Sequence, residues 1–249
     1  MQYGICPLSL VSLRNSPEDT SEMISQLLFG EHFKILESRK YWSRIRVSYD
    51  KCEGWIPNNQ LLFLTEEDYD EIEQKAKTSA SDLIGYVERQ NCLLTTILVG
   101  SSLPDIECMP YTFEGNRIGG KQAKNSLIDI ALLYLNSPEL KGGKSPFGID
   151  ASGFTQMVYK INGYELLRTS EQQSTQGEAL SFVEESEAGD LAFFDDASGS
   201  INHVGIIMEN NYIIHVNGTV RIDRLDHTGI FNNDLRSYSH QLRVIKKIV

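Results

Sequence analysis

The residues that could carry chemistry in this sequence of 249 amino acids cluster in one short stretch and one pair of histidines. The stretch is Gly148-Ile149-Asp150-Ala151-Ser152-Gly153-Phe154, continued by Thr155-Gln156-Met157-Val158-Tyr159-Lys160. Asp150 suits a helix N-cap, because a carboxylate accepts from the backbone N–H groups that lack intrahelical partners. Phe154, Met157, Val158 and Ile161 follow at helical spacing and predict one apolar face. Ala151 then falls at the first helical position, three before Phe154, with its side chain pointing inward at the positive end of the helix dipole. A helix start stabilises a thiolate, so this is where an enzyme would set a nucleophilic cysteine. The residue is alanine. Ser152 lies about 100° further round the helix, and an unactivated serine also needs a base in line, so it is not promoted to nucleophile.

The histidines are His203 and His215, twelve residues apart and separated by a turn around Glu209-Asn210-Asn211. On an antiparallel hairpin, period-two alternation can bring both imidazoles to one face. Next to a thiol, the first would take the proton and the second would orient the first. The alternative is two ordinary strand histidines. His32, His227 and His240 have no such context and are expected at the surface.

These groups have to be positioned by elements of two kinds. Residues 3–64 read as short strands broken by turns. In Trp42-Ser43-Arg44-Ile45-Arg46-Val47, Ile45 and Val47 alternate with Arg44 and Arg46, as in a half-buried strand. Strands at this density predict a small barrel. Residues 66–77 are acidic and polar and read as a solvated helical linker. A further strand-rich stretch, residues 82–117, reads as a second barrel of the same type. From Gly119 the period becomes helical, with Leu127, Ile130, Ala131 and Tyr134 on one face. The Ala151 helix follows, then strands at 190–194, 203–208, 212–216 and 242–245. Helices first and antiparallel strands after them make an α+β domain.

The net charge of −11 argues against nucleic acid and anionic membrane as partners, since both require clustered Lys and Arg. No apolar run approaches a membrane-spanning length, and Met1-Gln2-Tyr3-Gly4-Ile5-Cys6-Pro7 does not read as a signal peptide. The expected location is cytoplasmic if Met1 is the true start, and periplasmic or secreted otherwise. Cys6, Cys52, Cys92 and Cys108 lack paired spacing and suggest neither a disulfide framework nor a zinc site.

The Asp150-Ala151-Ser152-Gly153-Phe154 string resembles the Asp-Cys-Ser-Gly-Phe signature of the NlpC/P60 cysteine peptidases, with Ala151 in the cysteine's place. Asn202-His203-Val204-Gly205-Ile206-Ile207 and Ile213-Ile214-His215 are similar to the family's two histidine strands. The N-terminal order, a Gly-Glu turn, a W-x-x-I-R-V strand and a Gly-Trp-Ile ending, resembles a bacterial SH3 (SH3b) domain. The resemblance implies an SH3b domain over 1–65, a linker and probable second SH3b-like domain over 66–118, and a papain-like NlpC/P60 domain over 119–249. It also implies hydrolysis of γ-D-glutamyl–diamino-acid bonds in murein peptides that carry a free N-terminal L-alanine, as in YkfC-like recycling enzymes, through Cys-His-His chemistry without a cofactor.

By the same resemblance, Ala151 stands at the nucleophile position, His203 is the base and His215 its orienter. Asp150 would bind the substrate's ammonium and Ser152 would flank it. Arg168 and Ser170 match the family's Arg-Asp-Ser segment, with Thr169 at the aspartate, and would meet the γ-D-glutamyl carboxylate. An exposed arginine is the plain alternative for Arg168. Where the family carries Tyr-x-Trp-Gly-Gly, this sequence has Glu139-Leu140-Lys141-Gly142-Gly143, and Cys52 replaces a tyrosine that reaches into the site. Glu139 and Lys141 would face water or one another. Two readings follow: a peptidase whose cysteine became alanine, inactive as written, or a natural non-catalytic binding or regulatory module with a remodelled pocket.

Overall fold

The computed structural model describes residues 2–89 and 92–249. The chain forms two units, one of Met1–Lys121 with Lys141–Pro146, the other of Gln122–Leu140 with Phe147–Val249.

In the first unit, strands β1 (Gln2–Ile5), β2 (Leu10–Arg14), β3 (Met23–Leu28), β4 (His32–Ser38), β5 (Trp42–Val47), β6 (Glu53–Pro57) and β7 (Leu62–Leu64) pair in the order β3-β2-β6-β5-β4-β1-β7. The alternation read in β5 is real. Ser43, Ile45 and Val47 are buried, while Arg44 and Arg46 point out and grip the β6 residue Glu53 at 2.6–2.8 Å. Val11, Leu13, Leu27, Phe33, Ile35, Ile45, Val47 and Ile56 fill the barrel.

Helix α1 (Glu66–Gln74) begins with a capping box between Thr65 and Asp68. It is not the solvated linker that its composition suggests, because Tyr69 and Ile72 are buried. These two share a second core with Tyr3, Ile5, Phe29, Val87, Ile97 and Phe113. The strands that supply it are β8 (Thr78–Ala80), β9 (Ile84–Arg89), β10 (Leu93–Leu98), β11 (Tyr111–Phe113) and β12 (Arg117–Gly119), in two small sheets ordered β10-β9-β11 and β12-β8. Residues 66–118 therefore pack on a core that they share with β1 and β7. The strand β13 (Lys144–Ser145) belongs to this unit as well. Its Lys144 is 1% exposed, with Nζ 3.2 Å from Glu31 Oε1 and its backbone N–H donating to Gln26 at 2.8 Å.

The second unit starts with α2 (Ser126–Leu133), whose Leu127, Ile130 and Ala131 face inward as their spacing predicts. After β14 (Gly148–Ile149) comes α3 (Ala151–Ile161), then the short α4 (Ser170–Gln173). Strands β15 (Glu178–Leu180), β16 (Leu191–Asp195), β17 (Ile201–Met208), β18 (Tyr212–Asn217), β19 (Thr219–Leu225), β20 (Gly229–Asn232) and β21 (Ser237–Lys247) order as β15-β21-β16-β17-β18-β19-β20. Because β20 also pairs with β21, the strands from β16 to β21 close on themselves. Closure removes the open edges at which sheets aggregate. Strands β19 and β20 are absent from the sequence reading. In β19, Arg221, Asp223 and Arg224 break up the apolar alternation, and one of these charges points inward.

Candidate functional site

Asp150 caps α3 as its position predicts, Oδ1 accepting from the Gly153 N–H at 2.6 Å. Behind the cap, Gln173 ties the helix start to α4. Its Nε2 donates to the carbonyls of Ser152 at 2.9 Å and Leu167 at 2.8 Å, and its Oε1 accepts from Thr155 Oγ1 at 2.7 Å. Sequence reasoning missed Gln173; a fully buried amide is visible only once its surroundings are. Ala151 is half-buried at the first helical position and Ser152 is buried.

Arg168 is not an exposed arginine. It is 4% exposed and forks onto Asp150, with Nη2 to Oδ2 at 2.7 Å and Nη1 to Oδ1 at 3.0 Å, while Nη1 also donates to Ser152 Oγ at 2.9 Å. A bidentate pair of this kind fixes both planes. Arg168, expected at a substrate carboxylate, is paired within the protein with the helix cap Asp150, whose own side chain stays 22% exposed. Ser170 is buried as the first residue of α4, and Thr169 caps that helix through a capping box with Gln172.

Helix α3 packs against β17 and β18, the strands that carry the histidines. The register sets His215 opposite Gly205. His203, two residues from Gly205, therefore shares the face of His215. Gly205 is required there: a Cβ would approach the His215 Cβ to 2.9 Å. The imidazoles meet edge on, His203 Nε2 lying 2.9 Å from His215 Nδ1, and His215 Nε2 lies 3.1 Å from Asp223 Oδ2. Asp223, on β19, is the functional candidate hidden by the missed strand. Arg221 holds its carboxylate from outside at 2.7 and 3.0 Å and reaches Asp234 at 2.8 Å.

This chain of contacts sets the tautomers. Burial alone would raise the pKa of Asp223, but the hydrogen bonds from His215 and Arg221 outweigh it and hold the group below the usual carboxylate range. An ionised Asp223 can only accept, so His215 donates from Nε2, and in its neutral form it presents its Nδ1 lone pair. His203 must then donate from Nε2, which leaves the lone pair of its Nδ1 as the basic site. Burial, reinforced by His240 and His215, keeps His203 well below the ordinary histidine value and hence neutral at pH 7. The sequence placed His240 at the surface, and the structure corrects that: its ring stacks on His203 at 3.9 Å between centroids and 19° between planes. Burial first, then His215, lowers its pKa to about 4. His32 is half-buried against Glu73 at 2.9 Å, and His227 is exposed.

Glu139 and Lys141 do not pair with each other. Glu139 Oε2 accepts from the Gly218 N–H at 2.7 Å, whereas Lys141 Nζ lies 2.5 Å from Glu22 in the first unit. Cys52 is half-buried against the barrel core of that unit. Among the described residues, the side chains grouped so that they could hold a metal ion are His203, His215 and His240, each offering one nitrogen within 4.8 Å of the others.

Residues 140–238 match the model of the NlpC/P60 family, and residues 13–61 match that of the bacterial dipeptidyl-peptidase SH3 domain. The chain is 38% identical over 228 residues to a gamma-D-glutamyl-L-lysine dipeptidyl-peptidase of Bacillus cereus, spanning 79% of this chain and 68% of that one. It is 23% identical over 251 residues to dipeptidyl-peptidase 6 of Lysinibacillus sphaericus, spanning 87% and 89%. The crystal structure of an NlpC/P60 family protein from Bacillus cereus has a TM-score of 0.81 at 18% identity and covers 99% of both chains.

Proposed function

The chain belongs to the NlpC/P60 family, with a bacterial SH3 domain ahead of the peptidase fold, and from that premise we propose that it recognises murein peptides of the form L-Ala-γ-D-Glu-diamino acid without cleaving them. In the active form of such a site, a thiolate at position 151 would attack the γ-D-glutamyl carbonyl. The leaving amine would take its proton from His203, and water would then hydrolyse the thioester. The observation that carries this reading is the relay from His203 through His215 to Asp223, complete on the strands against which the Ala151 helix packs. Asp150, partly exposed at the helix start, offers a carboxylate for the peptide's free ammonium. Arg168 keeps that carboxylate oriented rather than meeting the ligand itself.

With alanine at 151 there is no nucleophile, and all four cysteines of the sequence lie at or before residue 108. The alternative of a remodelled, non-catalytic module is favoured by Glu139 and Lys141, whose side chains are committed to Gly218 and Glu22.

Ala151→Cys separates the two readings. The restored thiol is expected to release L-Ala-γ-D-Glu from the tripeptide, with the N-acetylated tripeptide left intact. A folded variant that yields no dipeptide after prolonged incubation would sink the peptidase reading and leave the non-catalytic one.

A further inference from the structure

His240 is the one member of the imidazole cluster that the relay does not use. The relay needs two histidines and a carboxylate, yet a third ring lies against His203. We propose that His203, His215 and His240 form a binding site for a divalent transition metal ion, zinc foremost.

Three observations carry it. The three side chains each bring one nitrogen within 4.8 Å of the others, whereas three imidazoles on a tetrahedral zinc sit about 3.3 Å apart at bond lengths of about 2.0–2.1 Å. Next, two of the three rings are already held from behind. His215 Nε2 is fixed by Asp223 at 3.1 Å and His240 Nδ1 by Ser239 Oγ at 2.9 Å, the kind of support that orients metal-binding imidazoles and raises their basicity. This leaves His215 Nδ1 and His240 Nε2 as the ligating atoms. Last, the donor set is all imidazole, which suits zinc, copper and nickel over magnesium or calcium.

Binding has two structural consequences. His203 Nε2 and His215 Nδ1, 2.9 Å apart, must separate slightly, and the His203 proton moves from Nε2 to Nδ1, so no net proton is released. His240 must also leave its stack. A metal lies in the plane of each imidazole that binds it, and two stacked rings with centroids 3.9 Å apart and planes inclined at 19° aim their nitrogens at no common point within bonding reach. His240 is only half-buried, so its ring has room to turn. Three imidazoles leave a fourth position open to water.

The test is calorimetric titration of the chelator-stripped full chain with zinc alone, followed by cobalt as a spectroscopic substitute. Expected are one equivalent bound, tetrahedral cobalt absorption bands, and at least a tenfold loss of affinity in both His240→Phe and His215→Gln. His240→Phe keeps a stacked ring, so it reads ligation even if His215→Gln fails to fold, and His227→Ala should bind as the parent does. Binding below a fifth of an equivalent, or unchanged binding in a folded His240→Phe, overturns the site. The readout needs no peptidase activity, so it stands or falls separately from cleavage by Ala151→Cys.

Discussion

Each unit of the chain buries charge, but the two do it in opposite ways. In the first unit, Lys144 and Glu31 are 1% and 2% exposed at the side chain and neutralise one another. Gln26 holds the Lys144 backbone, and the Leu28 N–H donates to Glu31 at 2.9 Å. The two charges are thus met by one another deep inside the unit. In the second unit, His203, His215, Asp223 and Arg221 form a line that runs from the core to the exposed Asp234. A buried pair that satisfies itself costs much to break but performs no chemistry. A line of imidazoles ending on a carboxylate can move a proton. Burial alone therefore does not mark a functional site; an open chain of partners does.

The largest expected effect breaks the closed pair. Glu31→Gln leaves the Lys144 ammonium buried without its counter-charge, and losing one partner of such a pair costs about 3–5 kcal/mol. Urea unfolding should show that loss, while the double change Glu31→Leu with Lys144→Met should recover most of it. A single variant within about 1 kcal/mol of the parent would show that the pair is not sealed from water.

The same contrast explains how much was legible beforehand. Motifs with local spacing could be read: the Asp150 cap, the α3 face, the β5 alternation and the hairpin that sets His203 beside His215. What failed depends on partners far apart in sequence. Asp223 sits in a strand whose charges hide its period, and it becomes inward only because the barrel closes around it. His240 is half-buried only because its ring stacks on His203 across the barrel strands. Helix α1 looked solvated because nine residues rich in Glu and Asp bury only Tyr69 and Ile72. Arg168 could be matched by motif, but its partner could not be known without the fork onto Asp150.

A smaller effect sharpens the open chain. In the Ala151→Cys background, Asp223→Asn removes the acceptor that fixes the His215 tautomer. The amide can present its NH2 to His215 and reverse the whole line of donors. Cleavage should fall about 100-fold, which is about 2.7 kcal/mol in transition-state terms. Nitrogen shifts of the imidazoles should show His203 changing tautomer while the melting temperature moves little. Loss of activity with unchanged tautomers would mean that Asp223 serves only the fold.

The smallest effect compares two lysines on one loop. Lys141 and Lys144 are three residues apart, both in the segment that packs with the first unit. Lys144 is sealed against Glu31, whereas Lys141 is 85% exposed and its partner Glu22 49%. Exposed ion pairs gain little in high dielectric and are screened by salt, so their worth lies within about 0–1 kcal/mol. What fixes this end of the loop is backbone rather than charge. Gly142 adopts a φ of +79°, and a Cβ there would lie 2.3 Å from the Met23 carbonyl oxygen. Lys141→Ala should therefore leave the urea midpoint unchanged within error at both low and high salt. A cost for Lys141→Ala that approaches that of Glu31→Gln, and that fades on adding salt, would mean that charge rather than the glycine turn holds the loop.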